Sequence, residues 1–169
     1  TLLEGMGGRD EDDSLPAALG TLIHEIAALE PETTSLAALE ARLDERWAAL
    51  DIPAVWYQSA QRRKAVDMLR RYAAWVDARD GLELVDVERS FRVDVGDDAV
   101  LSGRVDRIER DADGRLVILD LKTGSTSAKA EEIEKHPQLG AYQLAVQEDG
   151  FGESAQSGGA ALIQIGGTA

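Results

Sequence analysis

Cysteine is absent from this chain of 169 residues. Disulfides, thiolate zinc sites and iron–sulfur clusters are therefore excluded within it, and the lack suits a cytoplasmic protein. Long apolar runs are also missing. Nowhere do about 18 apolar residues follow one another, so no membrane span is expected. Thr1 opens no basic n-region and apolar h-region, so no secretory signal is expected. The missing start Met and the abrupt Gly-Gly-Thr-Ala end read as a piece of a longer protein. Positive charge is scarce, with 18 Lys and Arg against 32 Asp and Glu and a net charge of −14. Nonspecific nucleic-acid binders are usually basic, so this balance counts against a simple DNA-coating role. It leaves a nuclease open, because a metal site needs carboxylates. The apolar fraction of 44% is ordinary for a soluble fold, and the length fits one domain with a sizeable core.

Thr1 to Asp13, rich in Gly and acidic residues, reads as a flexible lead-in. Residues 14–169 then form a single domain, helical over about 14–80 and sheet-based over 82–169. Ser14-Leu-Pro16 predicts a helix start, and Pro31 predicts its end after Glu30. Leu15, Leu19, Leu22, Ile23, Ile26 and Leu29 recur at helical spacing, with His24 beside the stripe. A second helix is expected over Leu36 to Leu50 and a third over about Ser59 to Arg79. The third carries the chain's basic cluster, Arg62, Arg63, Lys64, Arg70 and Arg71. That cluster is read as a solvated face, with contact to DNA backbone or a partner domain as the alternative.

Strands follow. Leu82 to Val95 is long enough to be one bent or bulged strand. Gly96-Asp-Asp98 is a turn, Ala99 to Glu109 a second strand, Asp111 to Gly114 a turn and Arg115 to Lys122 a third strand. Thr123 to Lys129 reads as a polar loop. A helix over roughly Glu131 to Gln147, a loop over Gly150 to Gly159 and a strand over Ala160 to Ile165 complete the order. The fold class is therefore α/β, a mixed central sheet with helices on both faces and a βαβ crossover at its end.

Alternation along the third strand puts Leu116, Ile118, Asp120 and Lys122 on one face and Val117, Leu119 and Leu121 on the other. Apolar residues on both faces mark a covered, central strand. A carboxylate and an ammonium are costly at its end unless paired. They form an ordinary ion pair or they belong to a site. Pairing around the Asp111–Gly114 turn brings Asp106 nearly level with Asp120, one strand over at about 4.8 Å spacing. Two carboxylates so close repel unless one is protonated or a divalent cation is shared. Oxygen-rich sites of this type suit Mg2+ or Mn2+. Lys122 could then orient a water or neutralise phosphoryl charge. Gln138 and Tyr142, four apart on a helix, share a face. They could hold a phosphate or a base, or be a solvent-facing amide and a half-buried core phenol. His24 alone reads as packing as readily as a ligand.

Gly20-Thr-Leu-Ile-His24, Glu88-Arg-Ser-Phe91, Gly103-Arg-Val-Asp106-Arg-Ile108, Asp120-Leu-Lys122-Thr-Gly124 and Gln138-Leu-Gly-Ala-Tyr142 occur in this order. Together they resemble the RecB-like branch of the PD-(D/E)xK nucleases, the nuclease modules of RecBCD, AddAB and AdnAB helicase–nuclease complexes. The resemblance covers His24 to about Ile165. It implies an αβββαβ, restriction-endonuclease-like core with extra N-terminal helices. It also implies Mg2+- or Mn2+-dependent hydrolysis of DNA, in the exonuclease module of a DNA-repair helicase–nuclease.

Carried over by position, His24, Asp106, Asp120 and the Leu121 backbone carbonyl are expected to ligate metal. Asp106, Asp120 and Lys122 are expected to be catalytic. Gln138 and Tyr142 would position DNA or support the site, and Glu88 has a supporting role. His136-Pro137 also fits the family but is read mainly as a helix start. Some relatives carry four cysteines for an iron–sulfur cluster. This chain has none, which places it with the cluster-free members. The partners implied are DNA, as single-stranded ends, and a helicase motor elsewhere in the full protein. The alternative is an inactive module that guides DNA or binds proteins in the same complex.

Overall fold

The structure is a computed structural model that describes residues 10–50, 52, 55–96, 99–125, 136–152 and 155–167. Helices α1 (Asp10–Leu29), α2 (Leu36–Trp47) and α3 (Val55–Ala78) come first. Strands β1 (Leu82–Val95), β2 (Ala99–Asp111) and β3 (Leu116–Lys122) follow. Helix α4 (Pro137–Gln147) and strand β4 (Ser157–Gln164) close the chain.

The sheet order is β1-β2-β3-β4. The first three strands are antiparallel, and β4 returns parallel to β3 through α4. This is the expected mixed sheet with a terminal βαβ crossover. The long first strand is bulged, with its register slipping between Leu84 and Asp86. Gly114, with φ of +82°, makes the β2–β3 turn that a side chain would strain.

Both faces of the sheet are covered. Leu19, Ile23, Ile26, Leu39, Leu43, Leu69 and Tyr72 of the first three helices pack with Leu121 on one face. Phe91, Val105, Ile108, Leu116 and Ile118 pack with Leu139, Tyr142 and Val146 of α4 on the other. Ile23 and Ile26 of α1 are fully buried, each stabilising the fold by roughly 1.5–3 kcal/mol.

Several boundaries differ from expectation. Helix α1 already runs before Pro16, which lies inside it. Pro16 lacks the N–H of an interior helical bond, yet the chain is helical on both sides of it. Ser14 is consequently inside the helix and not its cap. The cap that does form is Ser35, whose hydroxyl accepts from Ala38 N–H at 3.3 Å to open α2. Helix α3 begins at Val55, ahead of Ser59. Strand β4 begins at Ser157, inside the expected Gly/Ser-rich loop, because parallel pairing to β3 satisfies its backbone. Helix α4 opens at Pro137, with Pro at the first turn as the His136-Pro137 pair suggests. Asp10 to Asp13, expected as the end of the flexible lead-in, are the first residues of α1. The rest of that lead-in up to Arg9, the turn residues Asp97 and Asp98, and the stretch 126–135 lie outside the described residues.

Candidate active site

Asp120 lies in the buried run of β3, which continues to Leu121, and Asp106 lies on β2 one step beyond the Arg107↔Leu119 pair. The two aspartates are therefore level, as the turn implies. They are nevertheless held from opposite sides. Asp106 faces α1, where its Oδ1 lies 3.2 Å from His24 Nδ1. Its Oδ2 accepts a hydrogen bond from Leu121 N–H at 2.7 Å. Asp120 faces α4, where its Oδ1 accepts from Tyr142 OH at 2.9 Å and from Gln138 Nε2 at 2.7 Å.

A break in strand alternation explains the difference. Val105 and Ile108 both join the core under α4, although three positions apart on β2. One residue between them must slip to the other face. Asp106 turns to His24, and the next residue, Arg107, turns to Tyr72 and the Pro31 carbonyl on the same side. The register places Glu88 of β1 opposite Asp106, and Glu88 has φ of +52°, a left-handed conformation unusual for a side-chain-bearing residue.

His24, Glu88 and Asp106 each offer a ligand atom, and these atoms all lie within 4.8 Å of one another. Two carboxylates and an imidazole are a donor set for a hard or borderline divalent cation. Hydrogen bonding to Asp106, opposed in part by burial, holds the His24 pKa above the ordinary imidazole value. Burial raises that of Glu88, against the pull of the Arg104 guanidinium 2.9 Å away. Helix α1 approaches the end of β3 through Gly20. A Cβ there would lie 2.7 Å from Thr123 Oγ1. Gly166, after β4, would place a Cβ 1.8 Å from the Thr123 carbonyl, so no side chain fits.

The second group is a closed polar network. Lys122 Nζ donates to Gln138 Oε1 at 2.9 Å and lies 2.7 Å from Asp120 Oδ2. Gln138 Nε2 also donates to Tyr142 OH at 2.6 Å. Asp120 is only 4% exposed, and its Oδ2 has the lysine charge beside it but no aligned hydrogen bond. That oxygen is buried against the lysine ammonium. Burial and the Asp120 charge push the Tyr142 phenol well above its ordinary pKa, so it stays a donor. A groove of about 680 Å³ between α1 and the β1–β2 ribbon ends at His24 and Asp106, with Arg46 and Arg104 on its walls.

The candidate site residues read from the sequence thus lie at one end of the sheet. His24 and Asp106 meet directly. Asp120, Lys122, Gln138 and Tyr142 meet one another on the α4 side, and Leu121 bridges the groups through its N–H. Two details differ from expectation. Asp120 is outside the His24 cluster, because strand alternation aims it at α4. Lys122 is paired with Asp120, the ion-pair arrangement that spacing allows, while still sitting in the site. Glu88, expected only in support, stands with the ligand-capable residues. Periodicity could not mark it, because β1 is irregular there.

Three residues of the basic cluster on α3 have partners within the fold. Arg62 lies 2.8 Å from Asp44, Arg70 pairs with Asp67, and Arg71 donates to the Ile165 carbonyl.

A three-antiparallel, one-parallel sheet with acidic residues, a lysine and a histidine converging at its end defines a nuclease core of the PD-(D/E)xK type. A sequence profile described as the PD-(D/E)XK nuclease superfamily matches residues 2–169, and the chain belongs to that superfamily. It is similar to one of the subunits of an ATP-dependent helicase/deoxyribonuclease from Streptococcus equi subsp. zooepidemicus strain MGCS10565. Identity is 29% over 146 residues, covering 79% of this chain and 13% of the relative. The corresponding protein of strain H70 is 28% identical over the same share of each chain. A Streptococcus pyogenes serotype M49 protein of the same name is 27% identical over 84 residues, 48% of this chain and 8% of the relative. The chain thus spans only a small part of the curated relatives it matches.

Proposed function

We propose that this chain is the metal-dependent deoxyribonuclease module of a helicase–nuclease, acting as an exonuclease on single-stranded DNA ends. One observation carries the reading. His24, Glu88 and Asp106, from three separate elements, converge within 4.8 Å beside a strand ending in Asp120 and Lys122. The names of the similar proteins support DNA as substrate and an ATP-driven motor as partner. Among the described residues, no helix is long and apolar enough to cross a membrane.

His24, Glu88 and Asp106 would hold Mg2+ or Mn2+; the family resemblance adds Asp120 and the Leu121 carbonyl as donors, although Asp120 stands outside the three-residue cluster. When bound, the cation supplies Lewis-acid stabilisation of phosphoryl charge and a more acidic water. Tyr142 and Gln138 fix Asp120 Oδ1, and Lys122 holds Oδ2. Lys122, tethered by Gln138, presents an ammonium that donates to a phosphate oxygen or to the attacking water. Arg104 and Arg46 line the groove where the strand's phosphates would run.

The test is cleavage of end-labelled single-stranded and duplex DNA with Mg2+, Mn2+ or EDTA, comparing wild type with Asp120→Ala and Lys122→Ala. The reading expects cation-dependent cutting from an end, lost in both variants. Equal residual cutting by all three proteins would leave a guiding or docking module instead.

A further inference from the structure

Behind the candidate site lies a buried charge network that the chemistry above does not use. Arg107 is 2% exposed and Glu109 is fully buried. Arg107 Nε donates to Glu109 Oε1 at 2.5 Å, and Arg79 of α3 pairs with the same oxygen. Arg79 also reaches Glu32 at 2.9 Å. Arg107 Nη1 donates to the Pro31 carbonyl and lies 3.4 Å from Tyr72 OH. Its guanidinium stacks 5.3 Å from the Trp75 ring centroid. Arg107 Nη2 and Glu109 Oε2 remain buried without hydrogen-bond partners.

Stability alone is a weak reason for such a network. Removing two charges from water costs several kcal/mol each, and apolar replacements of like shape are often neutral or stabilising. Its location is more informative. Arg107 directly follows Asp106, at the point where β2 alternation slips. Pro31, its carbonyl anchor, lies just past the end of α1, the helix that carries His24. Tyr72 OH reinforces that anchor, its one proton shared between the carbonyls of Ala27 at 3.1 Å and Pro31 at 3.0 Å. One planar guanidinium is therefore fastened to β2 beside Asp106 and to the end of the His24 helix.

We infer that Arg107 is a positioning residue that sets the spacing of Asp106 and His24 for cation binding. The inference rests on the reading of His24, Glu88 and Asp106 as a cation site. The rigid fork of an arginine suits this task, since it bonds a carboxylate and a carbonyl in fixed directions. Glu109 is needed to keep that guanidinium neutralised in the interior, and Arg79 ties the pair to α3.

The experiment is a Mn2+ titration followed by electron paramagnetic resonance on the full-length protein. Wild type is compared with Arg107→Lys and with the double variant Arg107→Met/Glu109→Leu, which leaves no charge at either position and leaves Arg79 its Glu32 partner. His24→Ala identifies the signal of this site, and urea unfolding reports the fold. The expected result is a loss of Mn2+ affinity of about 10–100-fold in the double variant and a smaller loss in Arg107→Lys. The unfolding midpoint of the double variant should stay close to wild type, and kcat should fall with KM for DNA unchanged. Wild-type Mn2+ affinity in a folded double variant overturns the proposal. If the double variant does not fold, Arg107→Lys decides by the same criterion. Site-specific Mn2+ binding by a wild type that cuts no DNA would sink the nuclease reading while leaving the positioning role intact.

Discussion

His24 Nδ1 of α1 and Asp106 Oδ1 of β2 lie 3.2 Å apart, although the helical and sheet halves of the chain separate them in sequence. Their contact joins the two halves at the place where Glu88 also converges. A cation held there would tie α1 to the sheet, so the site and the packing of the fold depend on each other.

Glu88 is the ligand-capable residue that strand periodicity does not reveal. Glu88→Ala should weaken Mn2+ binding on the order of tenfold or more and depress cleavage in parallel. Isothermal titration with Mn2+ checks it. A variant that binds as wild type would reduce Glu88 to the salt-bridge partner of Arg104.

Tyr142 donates to Asp120 Oδ1 from the far side of the carboxylate. Tyr142→Phe should therefore lower kcat by about tenfold, the scale of lost outer hydrogen bonds around a metal site. KM for DNA should hold. A raised KM with unchanged kcat would instead make Tyr142 a DNA-contacting residue.

Gly20→Ala puts a Cβ 2.7 Å from Thr123 Oγ1 and should destabilise by about 1–3 kcal/mol, displacing α1 from the end of β3. Thr123→Ala in the same chain removes that oxygen and should restore stability, since Ala is favoured over Gly in a helix by roughly 1 kcal/mol. Urea unfolding of the single and double variants decides. Additive losses would contradict the contact.

Burial pushes the Tyr72 phenol up from 10.0 to about 12. The folded chain holds this proton more tightly than the unfolded one. Its contribution is full below pH 10.0 and is lost as pH climbs through about 12. Tyr72→Phe should cost about 1 kcal/mol at neutral pH through lost bonds to Ala27 and Pro31. It should also flatten the alkaline decline between those two values. Melting temperatures measured up to about pH 11, inside that window, compare the slopes, and parallel slopes would refute the assignment.

Much of this was legible in the residues. The apolar stripe of α1, apart from Leu29, which is half exposed at its end, and the two-sided alternation of β3 predicted which faces are buried, and Leu121 and Ile118 pack on opposite faces accordingly. The Asp111–Gly114 turn predicted the level pairing of Asp106 and Asp120. Periodicity could not report the slip at Asp106 or the left-handed Glu88, because both break the rule that makes strands readable. Strand patterning assigns no role to Arg107 or Glu109. Only tertiary packing shows them buried between β2 and α3. The Lys122–Asp120 contact lay within the alternatives, since residues two apart on a strand share a face.

The most direct measurement is anomalous diffraction from crystals soaked in Mn2+. A peak ligated by His24, Glu88 and Asp106, adjoining Asp120 Oδ2, is the predicted result. No peak at saturating Mn2+, or an ion bound only away from these side chains, would contradict the assignment of this sheet end as a metal-dependent nuclease site.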